Sequence, residues 1–138
     1  YLLDASVLIA LAWPEHSSHI RAGRWFAGHA STGWATCPIT QAALVRVLAN
    51  PAFSPHALTP AEALLVLKQN LELPGHQFWG DVLTLREALE RVPTSLTGHQ
   101  QITDAYLVGL AVHNHGKLAT LDRGIQQLGP AGSVELVA

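Results

Sequence analysis

The stretch Leu3-Asp4-Ala5-Ser6-Val7-Leu8-Ile9 decides the fold predicted for this chain. The apolar residues before Asp4 are typical of a short strand, and the apolar run from Ser6 suits the start of a buried helix. A strand that passes straight into a helix is typical of α/β domains, and here it places Asp4 at the carboxyl end of the strand. Ligands bind outside that end in such domains, so Asp4 is the first candidate site residue.

The alternation of strand and helix patterns continues along the chain. Strands are predicted at 1–4, 34–37, 77–79, 118–121 and 134–137, and helices at 6–11, 15–30, 41–48, 60–71, from 84, at 103–114 and from 123. Thr40 is a plausible N-cap for its helix, and Thr59 and Thr84 each begin a capping box with a Glu three residues later. The pattern predicts an α/β domain with a mostly parallel central sheet of four to five strands flanked by helices. A length of 138 residues suits a single domain.

Three of the ten acidic residues fall where predicted strands end or where a helix begins. Asp4 and Asp122 follow strands, and Asp104 lies in the first turn of a helix, so we expect all three at one edge of the sheet. Bringing like charges together is costly, and a hard divalent cation such as Mg²⁺ or Mn²⁺ offsets that cost with oxygen ligands alone. The pattern therefore indicates a metal site suited to phosphoryl transfer.

Each of these carboxylates has a simpler interpretation when it is considered alone. The helix dipole favours an acidic residue at the position of Asp104, and Asp122-Arg123-Gly124 is a turn sequence. Asp4 could cap the helix that follows it. The metal-site hypothesis depends on the three positions together.

Three segments resemble the signature blocks of PIN-domain proteins: Leu3 to Ile9, Thr103-Asp104-Ala105-Tyr106-Leu107 and Leu118-Ala119-Thr120-Leu121-Asp122-Arg123-Gly124. Four further segments are similar to the VapC-type toxins of bacterial toxin–antitoxin pairs, especially mycobacterial ones: Cys37-Pro38-Ile39-Thr40-Gln41, Arg46-Val47-Leu48, Asn50-Pro51 and Phe78-Trp79. The resemblance covers almost the whole chain and implies a single PIN-like domain over residues 1–138.

The resemblance implies a metal-dependent endoribonuclease that hydrolyses RNA, with tRNA or rRNA as the substrate class. Asp4, Asp104 and Asp122 are then the catalytic residues and hold Mg²⁺ or Mn²⁺, while Ser6 and Thr120 orient carboxylates or waters. It also implies a cognate antitoxin protein as partner. Arg46 and Arg123 are the leading candidates for contacts with RNA phosphates, with further basic residues at Arg21, Arg24 and Lys117.

Gln41 departs from the family pattern, which commonly has Glu at this position. Glutamine keeps a carbonyl oxygen as a weak ligand but removes one negative charge from the pocket, so we expect weaker metal binding without loss of the site. The alternative function is a catalytically weakened PIN scaffold that acts mainly by binding a partner protein. Arg46 lies about 140° around the helix from Gln41, so spacing assigns them no joint role, and an ordinary surface arginine is the simpler interpretation.

The composition predicts partner proteins. Hydrophobic residues make up 49% of the chain and charged residues only 13%, about half the usual roughly 25%. So few charges cover a monomer poorly, and we expect a homodimer that also binds an amphipathic antitoxin segment. The net charge of −2 shows no excess of positive charge that would indicate nucleic-acid binding. The expectation of RNA binding therefore depends on the candidate site residues and not on the overall charge.

The predicted location is the cytoplasm. The single cysteine, Cys37, fits a reducing compartment, and no apolar run approaches the ~20 residues that cross a bilayer, so no membrane anchor is expected. Tyr1 is expected to be a trimmed terminus and not the start of a signal peptide.

Two other site classes fit the sequence less well. An aspartate-nucleophile phosphohydrolase needs a second Asp two residues after the first, where this chain has Ser6. The histidine pairs His16/His19 and His113/His115 have no further ligands nearby for a zinc site, although helical spacing would put the first pair on one face.

Overall fold

The computed structural model describes residues 1–138 and contains a five-stranded sheet with helices on both faces. The strands are β1 (Leu2–Leu3), β2 (Trp34–Thr36), β3 (His76–Phe78), β4 (Leu118–Thr120) and β5 (Val134–Leu136), in the order β3-β2-β1-β4-β5. The helices are α1 (Ala5–Ala12), α2 (His19–His29), α3 (Pro38–Leu48), α4 (Pro60–Leu71), α5 (Leu85–Leu89) and α6 (Gln101–His113). All strand pairs are parallel, which confirms the predicted α/β class. No helix is both long enough and apolar enough to cross a membrane.

The central strand β1 explains why the opening residues are apolar. Successive side chains of a strand point to opposite faces, and a parallel sheet is covered on both. Leu2 packs in the core cluster that contains α5 and α6, whereas Leu3 packs in the cluster that contains α1, α3 and α4. Both leucines are fully buried. The two cores therefore fix β1 from both sides and with it the position of Asp4.

Both predicted capping boxes are present. The hydroxyl of Thr59 accepts a hydrogen bond from the Glu62 amide at 3.3 Å, and the Glu62 carboxylate accepts one from the Thr59 amide at 2.7 Å. Thr84 and Glu87 repeat the arrangement at the start of α5. Reciprocal bonds of this kind satisfy amides that have no partner inside the helix.

Four predicted helix starts were wrong. The helix predicted from Arg123 is only a short 3-10 helix at Ile125–Gln127. Thr40 is not the N-cap of α3, because Cys37 takes that place and Pro38 is the first helical residue, a position that tolerates proline. Helix α6 begins at Gln101, two residues before the predicted start. Helix α2 begins only at His19, so His16 and His19 do not share a helical face, and His19 instead contacts the carbonyl of Ala10 at 2.8 Å.

Gly109 lets α6 pack against α5 at backbone distance. A β-carbon at this position would collide with the backbone carbonyl of Ala88. The residues of α6 on either side, Val108 and Leu110, are fully buried. This contact places the first turn of α6, which carries Asp104, next to the carboxyl ends of the strands.

Candidate metal centre

Asp4 lies between β1 and α1, and its carboxylate faces the end of the sheet. It is the N-cap residue of α1, yet its side chain makes no capping hydrogen bond. Oδ2 accepts hydrogen bonds from the Ser6 hydroxyl at 2.6 Å and from the Thr120 hydroxyl at 2.8 Å. The side chain is therefore not a helix cap, and its other oxygen, Oδ1, has no protein partner.

The two hydroxyls that hold Asp4 also hold the chain after β4. Ser6 Oγ accepts a hydrogen bond from the Leu121 amide at 3.2 Å, and Thr120 Oγ1 accepts one from the Asp122 amide at 3.0 Å. Thr120 is fully buried. Each hydroxyl thus donates to Asp4 and accepts from the segment that carries Asp122, which fixes the two carboxylates relative to each other.

Asp122 lies in an exposed turn two residues after β4. Its Oδ1 accepts a hydrogen bond from the Gly124 amide at 2.7 Å, the geometry of an Asx turn. The turn interpretation of this sequence is therefore correct, and it leaves Oδ2 of Asp122 without a protein partner.

Asp104 is half-buried in the first turn of α6, and no side chain donates a hydrogen bond to it. Burial, together with the negative charges of Asp4 and Asp122, raises the pKa of Asp104 to about 6. This electrostatic coupling requires the three carboxylates to be neighbours. The ion pairs of the molecule join other groups, Arg86 to Glu90 and both Lys117 and His29 to Glu135, so no basic side chain neutralises the three aspartates.

The chemistry of this donor set fits a hard divalent cation. No three His, Cys, Asp or Glu side chains close around one point at metal-ligating distance. Mg²⁺ keeps several waters and takes only one or two protein carboxylates directly, so a complete protein cage is not required. Free oxygens on Asp4, Asp104 and Asp122, with no cation among the surrounding side chains, are the ligands that such an ion prefers.

Gln41 is held by a chain of hydrogen bonds. Its amide nitrogen Nε2 donates to Thr36 Oγ1 at 2.9 Å, and the Thr36 hydroxyl lies within hydrogen-bond distance of His76 Nε2, at 2.9 Å. Burial lowers the pKa of His76, which favours the neutral ring. The amide of Gln41 is thereby fixed with Oε1 free. Neither Thr36 nor His76 was among the predicted site residues, because they are 40 residues apart and no local pattern links them.

The two candidate RNA contacts lie on exposed surfaces. Arg46 lines a groove between α3 and α4 with a volume of about 570 Å³, and Gln41 lines the same groove. The two residues therefore share a surface although their helical spacing did not predict it. Arg123 is exposed directly after Asp122, and neither arginine forms an ion pair.

Comparison with known proteins gives one consistent result. A family model described as "PIN domain" matches residues 1–129. The chain is 40% identical to "Ribonuclease VapC39" of Mycobacterium tuberculosis over 136 residues, which are 99% of this chain and 98% of that protein. "Ribonuclease VapC38" of the same organism is 41% identical over 139 residues, covering 99% and 96%. "Ribonuclease VapC29" is 40% identical over 127 residues, covering 92% and 89%.

Proposed function

The chain belongs to the PIN domain family, and from this membership we propose that it is a metal-dependent endoribonuclease, the toxin of a type II toxin–antitoxin pair. The observation that carries the proposal is the set of three aspartates at the carboxyl edge of the sheet with no basic side chain paired to any of them. A carboxyl whose pKa is raised by burial and by neighbouring carboxylates, as that of Asp104 is, is typical of sites that perform chemistry. The names of the relatives supply the reaction class, hydrolysis of RNA.

In this proposal Asp4, Asp104 and Asp122 hold Mg²⁺ or Mn²⁺, one or two of them directly and the rest through waters of the ion. Such an ion supplies an activated water and stabilises charge that develops on the phosphate. Ser6 and Thr120 position the carboxylate of Asp4, because both hydroxyls donate to the same oxygen. Asp104, with its pKa of about 6, can exchange a proton near neutral pH and gives up that proton when a cation binds beside it.

Cleavage of RNA by the purified protein tests this proposal. We expect cleavage of total RNA with Mg²⁺ or Mn²⁺ and none with EDTA. Asp4→Asn should lower the rate at least about 100-fold while the protein stays folded by circular dichroism. Glu72→Gln is the matched control, because Glu72 is an exposed carboxylate at the end of α4 and its loss should leave the rate unchanged. Cleavage that survives in EDTA or in Asp4→Asn would contradict the proposal.

A protein-binding scaffold is the second candidate, and Gln41 favours it. The side chain donates its amide to Thr36 and adds no charge to the aspartates, so the pocket holds three formal negative charges. A scaffold predicts no metal-dependent cleavage with any of the RNA substrates, together with retained binding of the protein partner.

The proposed partner is an antitoxin encoded beside this chain, and the proposed location is the cytoplasm. The groove between α3 and α4 supports such a partner, since its walls are mainly apolar and include Val45, Leu64 and Leu67. Leu64 is 55% exposed within this groove, and a contiguous exposed apolar patch marks an interaction site. Co-expression with the product of the adjacent gene should yield a stable complex.

We further propose that the protein is a homodimer. Support comes from the low charge content and from large apolar side chains such as Ile20 and Leu65, which are 69% and 55% exposed. Light scattering at micromolar concentration should give the mass of a dimer, and a strictly monomeric mass would contradict this.

A further inference from the structure

A second cavity opens beside Asp104 at the same edge of the sheet. Its volume is about 420 Å³, within the range of roughly 300–1,000 Å³ that small-molecule sites occupy. Thr103, the residue directly before Asp104, lines it, and so does Ile39, two residues before Gln41 in the first turn of α3. Whatever enters this cavity therefore lies next to the proposed metal centre.

The polar groups of the cavity are mainly hydrogen-bond acceptors. Asp81 follows β3, and its Oδ1 accepts a hydrogen bond from the hydroxyl of the buried Tyr106. Oδ2 of Asp81 has no partner, and no basic side chain pairs with this carboxylate. Because the hydrogen of the Tyr106 hydroxyl is engaged, its oxygen offers a second acceptor beside Asp81. Of the two threonines, Thr84 is bonded to Glu87, whereas Thr103 has a free hydroxyl.

The remaining walls are apolar. Ile39, Leu85 and Ile102 line the cavity, and Leu85 and Ile102 are 48% and 37% exposed. Branched apolar side chains beside a carboxylate suit a flat ring that carries polar groups along one edge. A phosphate does not suit this cavity, because the unpaired carboxylate of Asp81 repels it.

The pattern of acceptors selects among the four RNA bases. Guanine carries two adjacent N–H donors on its Watson–Crick edge, N1–H and the N2 amino group, with the acceptor O6 beside them. Adenine and cytosine each place a ring acceptor next to one amino donor, and uracil flanks one N–H with two carbonyls, so a carboxylate repels part of each edge. Unpaired bases are read on these edges when they leave the stack.

We infer that this cavity binds a guanine base of the RNA strand adjacent to the cleaved phosphate, with Asp81 accepting from N1–H and N2–H. The free hydroxyl of Thr103 donates to O6, and Leu85 and Ile102 contact the ring faces. The inference rests on the proposed ribonuclease function for its substrate class, and it adds Asp81 as a specificity-determining residue.

Binding of free nucleosides tests the pocket without any cleavage. Guanosine, inosine, adenosine, cytidine and uridine are titrated separately into the metal-free protein, followed by amide NMR shifts of Thr84, Leu85, Ile102 and Thr103. We expect guanosine to bind about tenfold more tightly than inosine, which lacks the N2 amino group, and the other three to bind more weakly still. Equal binding of all five nucleosides, or binding of none, would overturn the inference.

Variants test whether the preference for guanosine over inosine depends on Asp81. Asp81→Asn should reduce the guanosine-to-inosine ratio to about one, whereas the control Glu72→Gln should keep it. Asp81 is exposed, so the variant should fold, and the inosine comparison on the unaltered protein needs no variant at all.

Cleavage of matched RNA oligonucleotides separates this inference from the proposed function. One oligonucleotide carries a single guanosine and its partner has inosine at that position, in a uridine background. Cleavage beside guanosine that falls about tenfold with inosine supports both statements. Cleavage without any base preference supports the ribonuclease function and overturns the guanine-binding inference. Guanosine-selective binding without cleavage of any RNA supports guanine binding and overturns the ribonuclease function.

Discussion

The three aspartates at the carboxyl edge of the sheet and Glu135 of β5 have opposite surroundings. Asp4, Asp104 and Asp122 meet at the carboxyl edge without a basic partner. Glu135 of β5 is surrounded by donors. Its carboxylate accepts hydrogen bonds from Tyr1 at 2.8 Å and Trp25 at 3.0 Å and lies 3.5 Å from both Lys117 and His29.

The difference shows in the pKa values. Burial alone would raise the pKa of Glu135, but the hydrogen bonds from Tyr1 and Trp25 and the charges of Lys117 and His29 together lower it. Burial and like charges raise the pKa of Asp104 to about 6. Negative charge therefore stabilises the fold at Glu135 and destabilises it at Asp104. A carboxylate kept at a cost to stability is expected where function requires it.

Thr120→Val removes the hydroxyl that connects Asp4 to the segment carrying Asp122. Of the variants in this comparison, it should have the largest effect on RNA cleavage. Valine fills nearly the same volume but removes the donor to Asp4 and the acceptor for the Asp122 amide. We expect RNA cleavage to fall about 10- to 100-fold, because groups that orient metal ligands have effects of this size. Cleavage rates at saturating Mg²⁺ measure it.

Thr120→Ser is the matched control, since it keeps the hydroxyl and deletes a methyl group. It should retain most of the activity that Thr120→Val loses. Equal losses in the two variants would show that Thr120 contributes packing and not orientation.

Gln41→Glu sharpens the comparison by adding a fourth unpaired carboxylate at the carboxyl edge. The donor to Thr36 is lost and a charged ligand is gained, so we expect metal affinity to rise about tenfold, within the range that ligand changes produce. Titration with Mn²⁺, followed by protein fluorescence and by RNA cleavage rate, measures both consequences. If the affinity and the rate both stay unchanged, Gln41 does not face the metal.

The parts of the site that sequence predicts are those with local signals. Asp4 and Asp122 were found because short apolar strands end beside them, and the boxes at Thr59 and Thr84 were found because their partners are three residues away. Thr40 was misplaced because Pro38 can also begin a helix and a cysteine is an uncommon N-cap.

Contacts between residues that are far apart in the sequence could not be predicted from local sequence patterns. Thr120 reaches Asp4 across 116 residues, and only the family resemblance suggested that contact. Tyr1 reaches Glu135 across 134 residues, and Tyr106 reaches Asp81 across 25. These contacts depend on strand order and on how α6 packs, which hydrophobic periodicity does not specify.

Neutralising Asp104 or Glu135 should give the smallest effects, and the two changes should shift the free energy of unfolding in opposite directions. In the metal-free protein at pH 7.5, Asp104→Asn should raise the free energy of unfolding by about 1 kcal/mol, after allowance for solvent screening of a half-buried group. Glu135→Gln should lower it by about 1 kcal/mol, because the attraction to Lys117 is lost and the hydrogen bonds from Tyr1 and Trp25 no longer meet a charged acceptor. Urea denaturation of both variants and the unaltered protein measures the two differences.

The pH dependence distinguishes the two groups further. The pKa of Asp104 is raised from 3.8 to about 6 in the folded state, so the folded protein takes up a proton there before the unfolded chain does. Its destabilising contribution is therefore full above pH 6 and disappears as the pH falls towards 4, and the advantage of Asp104→Asn should disappear with it. The pKa of Glu135 is lowered from 4.5, so its stabilising contribution is present above pH 4.5 and is lost only below it. At pH 5, Glu135→Gln should still be less stable than the unaltered protein, while Asp104→Asn should have lost about half of its advantage. Parallel pH profiles for the two variants would mean that both carboxylates experience the same surroundings.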